Sequence, residues 1–282
     1  MLPRTTRMNH YLSNVTHKTM VYNKKNPLRV FEAFAGYSSQ ALALKRLKET
    51  YPNFDFVRVG WAEFDPESKQ QIDNQPAVIA NRALFPDGSK NYGDITKIMW
   101  QDVPDFDLFT FSFPCQSVSN AGRQAGLAKG SGTRSSLLWE CEKAIDIKRP
   151  KYLLMENVKA LTQKKFMPYF NEWLKLLEKY GYANFWQILN AKHYGVPQNR
   201  ERVFCVSVLR TLDEPDPSYD FPKPFPLELC LADCLEEDVD ERYFLSDEML
   251  ARFCRKSLEE DDKKNKLPEE KNEDFENFFI AQ

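Results

Sequence analysis

Histidine and closely spaced cysteine are the first things this sequence is short of. It has three histidines and six cysteines, at 115, 141, 205, 230, 234 and 254, in 282 residues. No cysteine pair shows C-x-x-C spacing, which argues against a zinc site, and so few thiols in a chain of this length point to reduced cysteines and not to a disulfide framework. No apolar run reaches the ~18–20 residues that span a bilayer, and residues 1–26 lack the apolar core of a signal peptide. The expectation is a soluble, cytoplasmic protein with no membrane partner. The glycine fingerprint G-x-G-x-x-G is also missing, which counts against a nicotinamide enzyme.

What is present is globular: 42% hydrophobic and 28% charged residues. The net charge of −2 conceals an asymmetry. Residues 1–210 carry 30 Lys and Arg against 19 Asp and Glu, an excess of +11, whereas residues 211–282 carry 9 against 22, an excess of −13. A basic body suits a polyanion such as DNA, although it is equally a solubilising distribution. The acidic tail is unsuited to gripping DNA.

From Leu28 onward, apolar runs alternate with amphipathic segments. Strands are expected at Leu28–Phe34, Phe54–Trp61, Asp107–Phe113, Tyr152–Met155, Phe185–Leu189 and Arg202–Leu209. Helices are expected at Gln40–Lys48, Ser136–Lys148 and Tyr169–Lys179. This alternation implies an α/β fold, a doubly wound and mostly parallel sheet of Rossmann-like type. Four pieces follow: a loose arm at 1–26, a core domain at 27–210, a proline-rich exit with a short ordered extension at 211–256, and a charged, partly disordered tail at 257–282. The glycine- and serine-rich stretch Ser117–Arg134 reads as a mobile surface loop.

Chemistry concentrates at strand ends. Phe34-Ala35-Gly36 leaves the first strand, where doubly wound folds bind nucleotide-like cofactors, with Ser38-Ser39 placed to cap the next helix. Glu63 follows the second strand, where an acid can accept hydrogen bonds from both ribose hydroxyls. Asp94, followed by Ile95, is expected at a third strand end. Alone, each of these acids reads more often as an ordinary surface carboxylate; the three groups in chain order raise the cofactor reading to about even. Pro114-Cys115-Gln116 follows a strand and opens the glycine-rich loop, a setting that exposes a thiol as a nucleophile requires. Glu156-Asn157-Val158 and Gln198-Asn199-Arg200-Glu201-Arg202 come later.

These pieces, in this order, resemble the DNA cytosine-5 methyltransferases, the bacterial and phage modification methylases, over roughly Leu28 to Leu209. The resemblance implies methyl transfer from S-adenosylmethionine to carbon 5 of cytosine in double-stranded DNA, with the base flipped out and a covalent Cys–cytosine intermediate. It implies catalytic roles for Cys115, Glu156, Arg202 and Arg200. It implies a cofactor site of Phe34, Ala35, Gly36, Glu63, Phe64, Asp94, Ile95 and Pro114, and DNA contacts from Gln116, Ser119, Arg134 and Gln198. No metal is implied.

The sequence departs from the family pattern in places. Glu32 stands where aspartate is usual, and Ser38, Ser39 and Ser112 stand where glycines are common. Beyond Arg210 no segment reads as the family's target-recognition domain, nor as the Gly-Asn segment that completes its cofactor pocket. The expectation is therefore that a second polypeptide or a continuation supplies target choice. The alternative is a non-catalytic remnant that binds cofactor or DNA.

Overall fold

The computed structural model describes residues 22–118 and 127–252. Six strands form one sheet: Leu28–Ala33 (β1), Phe56–Ala62 (β2), Leu108–Phe111 (β3), Tyr152–Val158 (β4), Tyr182–Asn190 (β5) and Glu201–Leu209 (β6). Their spatial order is β2-β1-β3-β4-β6-β5. The first four strands are parallel, and β6 runs antiparallel between β4 and β5. The α-helices Ser39–Thr50 (α1), Pro76–Leu84 (α2), Glu140–Lys148 (α3) and Met167–Lys179 (α4) accompany them.

Alternation along the strands explains the helices on both faces, because successive side chains point to opposite sides. Phe31 and Ala33 of β1 register with Phe109 and Phe111 of β3, which register with Leu153 and Met155 of β4. That face is buried with Trp139, Ala144 and Ile145, and with the α4 stripe of Phe170, Trp173 and Leu177. The i, i+3, i+7 spacing of this stripe is one side of a helix, and truncating a core Trp such as Trp173 costs about 3–5 kcal/mol. Leu28 and Val30 face the other way and pack with Leu44 of α1, Leu108 and Tyr152. The doubly wound sheet expected from the sequence is what forms.

Three local expectations need correction. Glu156, Asn157 and Val158 lie within β4 and not after it, because β6 continues the antiparallel ladder to the Val158–Arg202 pair. Asp94 ends no strand: it caps the single 3-10 turn Ile95–Lys97, accepting from the Thr96 amide at 3.0 Å. Finally, α1 is not capped by Ser38 or Ser39. Ser38 is left-handed (φ 63°) and its side chain makes no capping bond. Glu32 reaches across from β1 instead, its Oε1 accepting from the Ala41 amide at 3.0 Å. A carboxylate there satisfies an orphan donor and meets the positive end of the helix dipole. Helix α2, absent from the expected elements, starts at Pro76 and buries Val78 and Asn81.

The chain divides into two compact units, Met1–Leu231 and Ala232–Gln282. In the first, the proline-rich exit packs back onto the sheet end: Tyr219 lies against Phe185, and the Phe225 amide donates to His193 O at 3.0 Å. In the second, described only to residue 252, Glu241–Tyr243 forms one 3-10 turn and residues 247–252 are helical. Residues 1–21 of the expected arm and all of the tail at 257–282 lie outside the described residues.

Candidate active site

Strand order reverses between β1 and β3, and their carboxyl ends open onto a crevice, the usual ligand position in such sheets. A cavity of about 250 Å³ lies there, lined by Phe34, Glu63, Phe64, Asp94, Ile95 and Pro114, among others. Six of the eight residues expected around the cofactor therefore share one wall. Ala35 and Gly36 do not line it. Ala35 is buried with Trp61 and Val78, and Gly36 acts through its backbone.

That backbone is unusual. Phe34, Gly36 and Ser38 all have positive φ, at 55°, 54° and 63°. Glycine adopts this region freely, whereas Phe and Ser do so only when their surroundings hold them. The Gly36 amide donates to Glu63 Oε2 at 2.7 Å. The Glu63 backbone is fixed in turn by Asn91, which accepts from its amide and donates to its carbonyl, each at 3.1 Å. Burial pushes the Glu63 carboxyl up from its ordinary range, and the Gly36 amide opposes that shift.

Behind the turn lies a buried polar cluster. Arg58 Nε and Glu32 Oε2 form an ion pair 3.2 Å apart, both side chains shielded from solvent. Glu32, where aspartate is usual, serves helix α1 and Arg58 together. Ser112 likewise accepts from Gln40 Nε2 at 2.8 Å, linking α1 to the exit of β3.

Cys115 follows β3 and is half-buried. Its loop is tied down on both sides. Asn157 Nδ2 donates to Phe113 O at 2.9 Å, while the buried Ser135 hydroxyl donates to Pro114 O at 2.7 Å and accepts from the Ser117 amide at 3.1 Å. Sequence reasoning assigned Ser135 no role and gave Asn157 none beyond its motif. A fixed distance in the sequence does not disclose such bonds between separate elements. Among the other described thiols, burial pushes Cys205 up to about 11 and raises Cys141 well above the ordinary thiol range, holding both protonated.

Glu156 and Arg202 meet across β4 and β6, with Arg202 Nε 3.0 Å from Glu156 Oε1 and both partly exposed. Arg200 precedes β6, exposed, its amide donating to Asn190 Oδ1 at 3.1 Å. Gln116 and Gln198 are exposed. Arg134, expected at a phosphate, lies on the cavity wall, with NH1 3.4 Å from Glu67 and NH2 3.7 Å from Asp65. Ser119 and the loop residues 119–126 fall outside the described residues. Among the described residues, no His/Cys/Asp/Glu cluster suits a metal, and no helix is long and apolar enough to cross a membrane.

The family model for C-5 cytosine-specific DNA methylases matches residues 28–279. The chain belongs to that family. The match runs past Leu209, through the acidic extension that the motifs alone left outside the resemblance. Among curated relatives, the type II methyltransferase M2.ScrFI of Lactococcus lactis subsp. cremoris is 42% identical over 265 residues, covering 79% of this chain and 72% of that protein. The orphan methyltransferase M.SssI of Spiroplasma monobiae is 35% identical over 241 residues, covering 69% of this chain and 62% of that protein. The family is thus one of methyltransferases, and this chain spans about three-fifths to three-quarters of these relatives' lengths. Among solved structures, a DNMT2 variant of Spodoptera frugiperda superposes with a TM-score of 0.59 at 23% identity, over 81% of this chain and 65% of that one. The Dnmt2 methyltransferase of S. pombe gives 0.54 at 19%, over 81% and 66%. These two likenesses establish the methyltransferase fold.

Proposed function

We propose that this chain methylates carbon 5 of cytosine in double-stranded DNA, through a transient bond between Cys115 and the flipped-out base. One juxtaposition carries the reading. Pro114 lines the cavity and the next residue is the half-buried Cys115 thiol, on a loop that Asn157 ties to the strand bearing Glu156. The residues around the cavity fit S-adenosylmethionine: a carboxylate at Glu63 for the ribose hydroxyls, Asp94 for the adenine amine, and the Phe34 and Phe64 rings for apolar contact. When bound, S-adenosylmethionine would supply an electrophilic methyl group.

Carbon 5 of cytosine is a poor nucleophile until a thiolate adds to carbon 6. Cys115 makes that bond, and the ring electrons move toward carbon 5 and nitrogen 3. Glu156 holds nitrogen 3 and the exocyclic amine, and Arg202 contacts the carbonyl oxygen, with Arg200 near the same strand end. Their existing pair keeps both side chains oriented before the base arrives, so little reorganisation accompanies reaction. Carbon 5 then attacks the methyl group as the methyl–sulfur bond breaks and its electron pair stays on sulfur, leaving a neutral thioether; a base removes the carbon 5 proton, and the electrons returning to the ring expel the Cys115 thiolate. A base stacked in a duplex is beyond reach of these groups, so it must swing out, with Gln116, Ser119, Arg134 and Gln198 as DNA contacts.

The test is incorporation of labelled methyl from S-adenosylmethionine into DNA by the purified chain, with product analysis for 5-methylcytosine. Methyl transfer to another atom overturns the assignment.

A further inference from the structure

Asn81 lies in helix α2, fully buried, and is not among the residues lining the cavity. A buried amide is costly unless its donors and acceptor are all used. All of them are. Nδ2 donates to Gly36 O at 3.1 Å and to Ser38 Oγ at 2.7 Å, and Oδ1 accepts from Arg58 NH2 at 2.8 Å. The orientation is dictated by chemistry, since a carbonyl can only accept and a guanidinium can only donate.

Two of these three bonds hold the left-handed turn after β1, and the third joins Arg58 of β2. Gly36 is gripped from both sides: its carbonyl by Asn81, its amide by Glu63. Ser38, left-handed where a glycine would be at ease, has its hydroxyl in the Asn81 bond. Arg58 completes the cluster through its ion pair with Glu32, the carboxylate that caps α1.

We propose that Asn81 is a positioning residue for the cofactor: by fixing Gly36, it holds the Glu63 carboxylate in the orientation that receives the ribose. The proposal rests on the reading of Glu63 as the ribose acceptor. Asn81 touches neither cofactor nor base and acts only through the turn. Its loss therefore weakens cofactor binding without slowing transfer once the cofactor is saturating.

Asn81→Asp tests the point, because it keeps an acceptor for Arg58 and removes the donor to Gly36 O and Ser38 Oγ. The experiment is a double-mutant cycle with Glu63→Gln, read by calorimetric affinity for S-adenosylmethionine, by KM and kcat, and by Tm. The expected result is about three- to ten-fold weaker binding and a matching rise in KM at unchanged kcat, the range one hydrogen bond commands. In the Glu63→Gln background the same change should cost less than about two-fold, because the group it positions is gone. An equal loss in both backgrounds, or none in the wild-type background, overturns the inference. If Asn81→Asp does not fold, Asn81→Ser, too short to reach Gly36 O, carries the same expectations. Failure of the unsubstituted chain to bind the cofactor, or full affinity in Glu63→Gln alone, instead strikes the parent reading and takes the inference with it.

Discussion

Arg202 Nε lies 3.0 Å from Glu156 Oε1, joining a parallel strand to the antiparallel strand inserted beside it. The pair is partly exposed, so its contribution to stability is small, about 0–1 kcal/mol. Its value is orientation. Arg202→Ala is expected to lower single-turnover methyl transfer by roughly 10²–10³-fold, as loss of a preorganised donor does. Affinity for S-adenosylmethionine should be unchanged, because neither residue lines the cavity. A rate within a few-fold of wild type would remove Arg202 from the reacting centre.

Cys115→Ala tests the nucleophile. With DNA carrying 5-fluorocytosine, the wild-type chain and S-adenosylmethionine should yield an adduct that survives denaturing electrophoresis, because fluorine at carbon 5 blocks the proton removal that frees the thiol. The variant should bind cofactor normally and yield no adduct. Equal adduct from Cys115→Ala excludes this thiol.

Glu63 gives a pH signature. Its carboxyl is raised above the ordinary 4.5 chiefly by burial. A raised carboxyl favours the folded state below about pH 4.5 and loses that contribution as pH rises through its folded value. At neutral pH the ionised group therefore opposes folding, so Glu63→Gln should raise Tm slightly while weakening cofactor binding about 10-fold or more. The fall in wild-type affinity as pH drops toward the Glu63 titration should flatten in the variant. Calorimetry from pH 5 to 8 checks both, and parallel pH profiles for the two proteins would contradict the role.

The Glu32–Arg58 pair should behave differently, because both partners are shut away from water. Arg58→Met leaves a buried carboxylate without its counter-ion and is expected to cost about 3–5 kcal/mol in urea unfolding. Burial raises the Glu32 carboxyl, with Ser38 and Arg58 opposing. Without Arg58 the rise is larger, so the variant should lose stability progressively as pH increases through the Glu32 titration. The double variant Glu32→Gln, Arg58→Met should recover part of the loss.

Ser135→Ala removes two of the three ties on the Cys115 loop, to Pro114 O and from the Ser117 amide. About 1–3 kcal/mol of stability is at stake if the Ser117 amide stays unsatisfied. Turnover should fall more than cofactor affinity, and single-turnover kinetics beside calorimetry separate the two.

The sequence by itself determined the alternation of strand and helix, the family motifs and their order, because apolar periodicity and strand-end chemistry are local properties. Phe34, Glu63, Phe64 and Pro114 were legible as neighbours only through the rule that parallel strands end on one edge. Tertiary structure decided the rest. Glu32 caps a helix from another element, Asp94 caps a turn where a strand end was expected, and Arg134 faces Asp65 and Glu67. Asn81 stands in Pro76–Leu84, a segment that carries none of the family motifs. Its partners lie 23, 43 and 45 positions away in the chain, and a hydrogen bond between distant residues depends on where the fold sets their backbones. No local pattern encodes that distance.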